Sequence, residues 1–326
     1  PSPLSFDPVM PIQRRYFLQM GAAALIASAC TRRTQSPDQS IASASNDVKR
    51  VKHAFGETEV PVNPTRIVVC GYETVEAVVA HGVQPLGIPH GVSKEMSYLS
   101  LDEEAIAEIG SPNQPSLEMI ATLKPDLILT EKYRGGDAYP LLSQIAPTVV
   151  FDIDGNSEWQ KLTRLCGEVL GKPAETEALS TAYDAKLQQV EAQLSQMSKQ
   201  PQVSVVRIFP GLISAGGTET FAGSVLTDAG ISYPPHQSQA QSLQNISLES
   251  LDLLDGDVIF IMTLQSSAEF AQESRAEVER VKAHPLWAQL KAVQANQVYE
   301  VGPHWAIGSY IAANLILDDL LKYVGS

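Results

Sequence analysis

The chain has 326 residues, of which 44% are hydrophobic and 18% are charged, and its formal net charge is −14. This length suffices for one large domain or two lobes of ordinary size, and the composition excludes general disorder. The negative charge argues against a nucleic-acid partner, because nucleic-acid binders carry a basic surface. It does not exclude an anionic ligand, since a few arginines in a cleft can dominate the local field.

Residues 1–30 have the pattern of an export signal. Two arginines at 14–15 precede a short apolar segment over 21–29, and small residues lead directly to Cys30. The arginine pair resembles a twin-arginine export signal, and Ala-Ser-Ala-Cys resembles a bacterial lipobox. We therefore predict twin-arginine export and lipidation at Cys30, with an ordinary leader and a chance cysteine as the alternative. The polar, aperiodic sequence over 31–46 is predicted to be a flexible tether.

The remaining cysteines and the histidines do not form a recognisable metal site. Cys70 lies in an apolar run and Cys166 in a helical pattern, so we predict buried small side chains, with a disulfide as the alternative. The sequence contains neither a CxxC pair nor an HExxH motif, and its six histidines are scattered. No metal site is predicted.

The rest of the sequence alternates short β-branched runs with amphipathic segments, which predicts an α/β fold with parallel sheets. In the first half, strands are predicted over 66–70, 85–88, 126–130 and 148–151, with helices over 74–81 and 117–123.

Two helical stretches precede the second half, one beginning near 157 and one over 174–197, separated by Gly-Lys-Pro. Beyond them, strands are predicted over 203–209, 258–262 and 297–301, with helices over 221–229, 248–254, 284–290 and 309–323.

One segment occurs twice. Residues 116–128 and 247–259 both begin Ser-Leu-Glu, continue as a short apolar helix and end in an Asp and a buried strand. A serine at the N-cap and a glutamate in the first turn stabilise a helix, which by itself explains both glutamates. A functional interpretation needs further support.

The repeated segments and their neighbours resemble the periplasmic solute-binding proteins of iron–siderophore and vitamin B12 ABC importers. The resemblance extends from about residue 53 to the C-terminus, and it depends on the order and spacing of several motifs together. The motifs are 64–69 with Glu76, Gly82 and 85–88, then 116–128, 247–259 and 284–299.

This resemblance implies two parallel-sheet α/β lobes joined by a single long helix, with the ligand cleft between the lobes. On this chain it implies an N-terminal lobe over 47–156, a joining helix over 157–171 and a C-terminal lobe over 172–326. It also implies that one glutamate of each lobe meets arginines of the permease, and the matching positions are Glu118 and Glu249. Two like charges at opposite ends of a molecule orient it on a two-fold partner and accelerate encounter.

Ligands of open α/β sheets bind beyond the carboxyl ends of the strands. Among the side chains that follow predicted strands or lie in neighbouring loops, we select Tyr72, Arg134, Arg207, Tyr233 and Trp305 as ligand-binding candidates. Arginine donates to paired chelate oxygens, and aromatic rings supply flat apolar walls. Arg207 could equally form a structural ion pair, whereas Phe209 is predicted to lie in the core.

The sequence thus predicts an extracytoplasmic lipoprotein that captures a ferric siderophore and delivers it to an ABC permease. Iron would be carried within the bound siderophore, so no cofactor of the protein itself is expected, and neither catalysis nor a nucleic-acid partner is expected. A monomer is predicted. The alternatives are a vitamin B12 or haem binder of the same fold, a free-metal binder, or an exported hydrolase, although no G-x-S-x-G motif occurs.

Overall fold

The structure is a computed structural model that describes residues 47–264 and 267–324. The predicted leader over 1–30, including Cys30, and the predicted tether over 31–46 lie outside the described residues. Within the described ranges, no helix combines the length and apolarity needed to cross a bilayer.

The first lobe is built on a five-stranded parallel sheet with strand order β5-β4-β3-β8-β9, and two antiparallel hairpins, β1-β2 and β6-β7, flank it. Every residue of β3, β8 and β9 is buried, as expected for strands that are covered on both faces. The strands are β1 Val48–His53, β2 Gly56–Pro61, β3 Ile67–Val69, β4 Gly87–Ile88, β5 Ala107–Glu108, β6 Gly110–Ser111, β7 Gln114–Pro115, β8 Leu127–Glu131 and β9 Thr148–Phe151.

Helices cover both faces of this sheet. Alternate residues of β3 point to opposite sides, so Ile67 and Val69 belong to one hydrophobic cluster while Val68 belongs to another. The helices are α1 Tyr72–Ala80, α2 Val92–Glu95, α3 Leu117–Leu123, α4 Lys132–Gly135 and α5 Tyr139–Leu142, with a 3₁₀ turn at Gly136–Ala138.

Two helices connect the lobes, α6 Trp159–Leu170 and α7 Pro173–Ser195, following a 3₁₀ turn at Asn156–Glu158. Most of the buried face of α6 packs in the first lobe, whereas the later part of α7 packs in the second. Helix α6 has nearly the bounds predicted for the joining helix over 157–171, and the 23-residue α7 that follows it is the longer of the two helices between the sheets. Gly171 ends α6 with a φ of 73°, so the chain turns there.

The second lobe contains a five-stranded sheet with strand order β12-β11-β10-β13-β14. Its β10, β13 and β14 are parallel, but β11 pairs antiparallel with both β10 and β12, so this sheet is mixed where the prediction was parallel. The strands are β10 Val203–Phe209, β11 Leu212–Ala215, β12 Gln244–Asn245, β13 Val258–Met262 and β14 Val298–Val301.

Helices again cover both faces of the second sheet. Phe260 of β13 belongs to one cluster, and its neighbours Ile259 and Ile261 belong to the other. The helices are α8 Phe221–Asp228, α9 Pro235–Gln239, α10 Ala268–Lys282, α11 Lys291–Gln294 and α12 Tyr310–Tyr323, with 3₁₀ segments at Leu248–Leu254, Trp287–Gln289 and Pro303–Trp305.

The two repeated segments differ in their helices. In the first lobe, the Met119 N–H donates to the Ser116 hydroxyl, as predicted for an N-cap. In the second lobe, the helix is a 3₁₀ segment with non-helical dihedrals at Ser250, and Ser247 makes no side-chain cap bond to the backbone. The predicted serine cap is therefore wrong for the second copy.

Candidate ligand cleft

The first wall of the cleft is formed where β3 and β8 end and lead into α1 and α4. The helix α1 begins at Tyr72, and α4 carries Arg134, so two of the predicted candidates meet. The chain can approach this closely only because residue 71 is glycine: a Cβ there would lie 1.7 Å from a carboxylate oxygen of Glu131.

Arg134 is held by a buried carboxylate and by two aromatic rings. Its Nε and Nη2 donate to the two oxygens of Glu73 at 3.1 and 3.0 Å, and Glu73 is only 1% exposed. The guanidinium carbon lies 5.6 Å from the centre of the Tyr72 ring and 5.0 Å from that of Tyr133. Burial acts to lower the pKa of Arg134, but Glu73 and the Tyr133 hydroxyl outweigh it, and the pKa is raised.

A second buried carboxyl lies behind this pair. Glu131 is fully buried, one of its oxygens accepts from the Thr74 hydroxyl, and its Oε1 has no donor among the described residues. Burial and then the charge of Glu73 raise the pKa of Glu131 well above its ordinary value. The protonated form is therefore favoured, and it can donate a hydrogen bond to Glu73.

Arg207 on β10 forms the opposite wall. Its guanidinium carbon lies 5.0 Å from the centre of the Phe209 ring, and its buried Nε has no hydrogen-bond partner among the described residues. Burial and then the charge of Arg134 lower the pKa of Arg207, so the two guanidinium groups are near enough to act on each other. The structural ion pair considered from the sequence does not occur within the described part of the chain.

A cavity of about 280 Å³ adjoins Arg207. Its lining comes from the ends of β10 and β13, from the loop before α12 and from the 3₁₀ turn that precedes α6. Representative lining residues are Asn156, Arg207, Thr220, Met262 and Trp305. The cavity is open enough for one arm of a chelate.

Two predicted candidates lie deeper than expected. Tyr233 is 7% exposed in the core of the second lobe, where its hydroxyl donates to the carbonyl of Gly223 at 3.3 Å, so its placement in the cleft was wrong. Trp305 is 1% exposed: it packs 4.5 Å from the Phe260 ring, and its indole N–H donates to Asp319 at 2.8 Å. It contributes only a wall of the cavity.

Sequence reasoning missed two aromatic contributions to the cleft. Phe209 is half-buried beneath Arg207 instead of lying in the core, and Tyr133 is 36% exposed beside Arg134. Phe209 ends a strand and Tyr133 follows one, so their position at strand ends could have indicated both residues from the sequence.

A buried carboxylate joins the two lobes near the cleft. Glu76 of α1 accepts from the N–H of Ser309 at 2.7 Å, the Ser309 hydroxyl at 3.0 Å, the N–H of Ala312 at 2.8 Å and the Tyr98 hydroxyl at 2.5 Å. Ser309 and Ala312 lie at the N-terminus of α12, whose exposed N–H groups attract negative charge. Glu76 thus caps a helix of the other lobe.

The two glutamates of the repeated segments are exposed, one in the first turn of α3 and one in the first turn of the 3₁₀ segment at Leu248–Leu254. They are Glu118 and Glu249. The backbone N–H of Glu249 and then the Ser247 hydroxyl lower the pKa of the Glu249 carboxyl, which keeps it charged. These positions suit contact with a second protein.

Cys70 and Cys166 are free and buried, which confirms the prediction for both. Within residues 47–264 and 267–324, no group of three or more His, Cys, Asp or Glu side chains could hold a metal ion.

Two α/β lobes, with Arg134 following a strand of one sheet and Arg207 near the end of a strand of the other, are the arrangement of a two-lobed ligand-binding protein. The sequence model of the periplasmic binding protein family matches residues 67–304, and the chain belongs to that family. This confirms the resemblance found in the sequence.

Named relatives support the same assignment. The chain is 31% identical to the probable siderophore-binding lipoprotein YfiY of Bacillus subtilis, over 92% of this chain and 94% of the relative. It is 32% identical to the achromobactin-binding periplasmic protein of Dickeya dadantii, over 80% and 87%. Among solved structures, Staphylococcus aureus SirA complexed with staphyloferrin B is similar with a TM-score of 0.73 and 27% identity, covering 85% of this chain and 98% of SirA.

Proposed function

We propose that this protein captures a ferric siderophore outside the cytoplasm and delivers it to an ABC permease for iron uptake. One observation carries the proposal: Arg134 and Arg207 lie at strand ends of different lobes, each lies on an aromatic ring, and Arg207 forms no ion pair with the described residues. An oxygen-rich chelate between them would accept hydrogen bonds from the free nitrogens of both guanidinium groups and would supply the bonded counter-charge that Arg207 lacks.

The ligand contacts follow from this arrangement. Arg134 and Arg207 would donate to chelate oxygens, while Tyr72, Tyr133 and Phe209 would provide flat walls for its apolar parts. The relatives support this choice of ligand, because their names describe binding of siderophores.

Iron is the cargo in this proposal. It would enter within the siderophore, its coordination already satisfied by chelate oxygens, so the protein would need no cofactor of its own. The proposed role is binding and delivery by a monomer, without catalysis.

Delivery would use the exposed glutamates Glu118 and Glu249 as contacts for basic residues of the permease. Cys30 would carry a lipid after export by the twin-arginine route, and residues 31–46 would tether the binding domain to the membrane. Exchanging both glutamates for arginine should abolish uptake and leave ligand affinity unchanged. Normal uptake by the double variant would refute the docking role.

Binding is tested by titrating the protein with ferric siderophores and following tryptophan fluorescence, since Trp305 forms part of the cavity wall. We expect saturable quenching with a submicromolar Kd. Arg207→Gln should weaken binding about tenfold or more, because a charged hydrogen bond contributes roughly 1.5–3 kcal/mol. The matched control is Arg275→Gln on the exposed face of α10, which should bind as the wild type does.

The same titration tests the alternatives. Saturable quenching by cobalamin or haem and by none of the ferric chelates would contradict the proposal.

A further inference from the structure

The two arginines of the cleft differ in their electrostatic state. Arg134 is paired through two nitrogens with the buried Glu73, whereas Arg207 has no ion pair among the described residues. The first wall therefore carries almost no net charge at this pair, whereas Arg207 on the second wall has no bonded counter-charge. The exposed Glu219 lines the same cavity as Arg207 without forming an ion pair with it.

Glu73, and not its carboxyl neighbour Glu131, is the counter-charge of Arg134, because both oxygens of Glu73 accept hydrogen bonds from the guanidinium group. Glu131 is fully buried, accepts only from the Thr74 hydroxyl and has an oxygen without a donor in the described part of the chain. Burial and then the charge of Glu73 raise the pKa of Glu131, which favours a proton on this carboxyl, and that proton could be donated to Glu73. Glu95 also acts on Arg134, but burial disfavours its charged form.

Pairing leaves part of Arg134 available. Glu73 engages Nε and Nη2, and Nη1 makes no hydrogen bond to the described residues. The arginine therefore remains a donor to ligand oxygens although its charge is cancelled.

We propose that Glu73 sets the charge selectivity of the cleft. By cancelling the charge of Arg134 and leaving its N–H groups as donors, Glu73 makes Arg207 the main source of net attraction and disfavours highly anionic chelates. This inference rests on the proposed function and adds a class of ligand: ferric chelates of low net negative charge. Glu73 acts through Arg134 and is a specificity-determining residue that need not touch the ligand.

The test compares two probes of different charge, a neutral iron(III) tris-hydroxamate and a trianionic iron(III) tris-catecholate. The quantity measured is the ratio of their Kd values at fixed low salt. Glu73→Gln removes one negative charge close to the ligand. It should therefore lower the Kd of the trianion, relative to the Kd of the neutral chelate, about tenfold. Glu131→Gln is the matched control: it replaces a neutral buried carboxyl by an amide of the same shape, and its ratio should stay within about twofold of the wild type.

A double variant separates charge from structure. Glu73→Gln combined with Arg134→Gln removes both members of the ion pair, so the local net charge is again zero. Both chelates should then bind more weakly because the Arg134 donor is lost, while the ratio of their Kd values should return to the wild-type value. A merely structural role for Glu73 would not produce that return. The double variant leaves no unpaired charge, so it keeps the test available if the single variant fails to fold.

Either of two results would overturn this inference without affecting the proposed function. The first is an unchanged ratio of Kd values in Glu73→Gln, and the second is a ratio in the double variant that differs from that of the wild type. If the wild-type protein bound neither chelate saturably, the proposed function would fail and this inference with it.

Discussion

The contact of Glu76 with the N-terminus of α12 makes a strong prediction about stability. Four donors converge on this carboxylate, and three of them belong to Ser309 and Ala312 in the second lobe. Burial raises the pKa of Glu76, although its hydrogen bonds act to lower it. Above that pKa, Glu76→Gln removes a charge that complements the helix dipole, worth up to about 2 kcal/mol in a partly buried geometry. It also turns an amide NH₂ toward buried donors, and each unsatisfied donor costs about 1–3 kcal/mol. We expect the free energy of unfolding to fall by about 3–5 kcal/mol.

Urea unfolding and amide hydrogen exchange measure this effect. The N–H groups of Ser309 and Ala312 should lose protection in Glu76→Gln, and Ser309→Ala should cost about 1 kcal/mol because one hydroxyl bond is lost. Glu273→Gln, on the exposed face of α10, is the control and should change stability by less than about 0.5 kcal/mol. If Glu76→Gln unfolded like the control with unchanged exchange at both amides, the interlobe capping role would be refuted.

Three further predictions concern buried groups. Because burial and Glu73 raise the pKa of Glu131 above 4.5, the native state binds this proton more tightly than the unfolded state does, and the wild type loses stability as pH rises from that value. Glu131→Gln lacks this loss, so the Tm of the variant minus that of the wild type should increase with pH. If the two proteins gave parallel curves of Tm against pH, the raised pKa of Glu131 would be contradicted. Burial and then Glu131 raise the pKa of Cys70 to about 12, and burial also raises that of Cys166, so neither thiol should react with a disulfide reagent until urea unfolds the protein. Rapid labelling of the native protein would contradict this. Trp305→Phe should cost about 2 kcal/mol in chemical unfolding, since it removes the bond to Asp319 and part of a packed ring; a loss below about 0.5 kcal/mol would count against that role.

The sequence predicted several buried strands well because most of their side chains are apolar on both faces. The strands at Thr148–Phe151, Val203–Phe209 and Val258–Met262 have the predicted bounds. Such apolar runs can be recognised as strands without knowing which strands lie beside them, because a parallel strand covered by helices is buried along its whole length.

Helix α10 was missed because its sequence is mostly polar. Only a narrow face is buried, with Ala271, Ser274, Val278 and Val281 at helical spacing, and the Ser267 hydroxyl accepts from the Phe270 N–H at its start. The spacing and the cap were both visible in the sequence, but a search for broad apolar stripes overlooks them.

The cleft was predicted only in part. Strand ends indicated Tyr72 and Arg134, which the structure brings together, and Arg207, which lines a cavity, since topology brings the ends of parallel strands to one edge of a sheet. The depth of Tyr233 and Trp305 could not be predicted, because an aromatic residue in a loop packs in the core whenever its polar atom finds a partner there. The Glu73–Arg134 pair joins residues that are distant in sequence, and only the fold reveals it.

Ferric-siderophore binding in the cleft is tested most directly by fluorescence titration of the wild type and Arg207→Gln, with Arg275→Gln as control. The account predicts saturable submicromolar binding of at least one ferric siderophore by the wild type and the control, and about tenfold or greater weakening in Arg207→Gln. Equal affinity in all three proteins, or no saturable binding of any ferric chelate by the wild type, would contradict it.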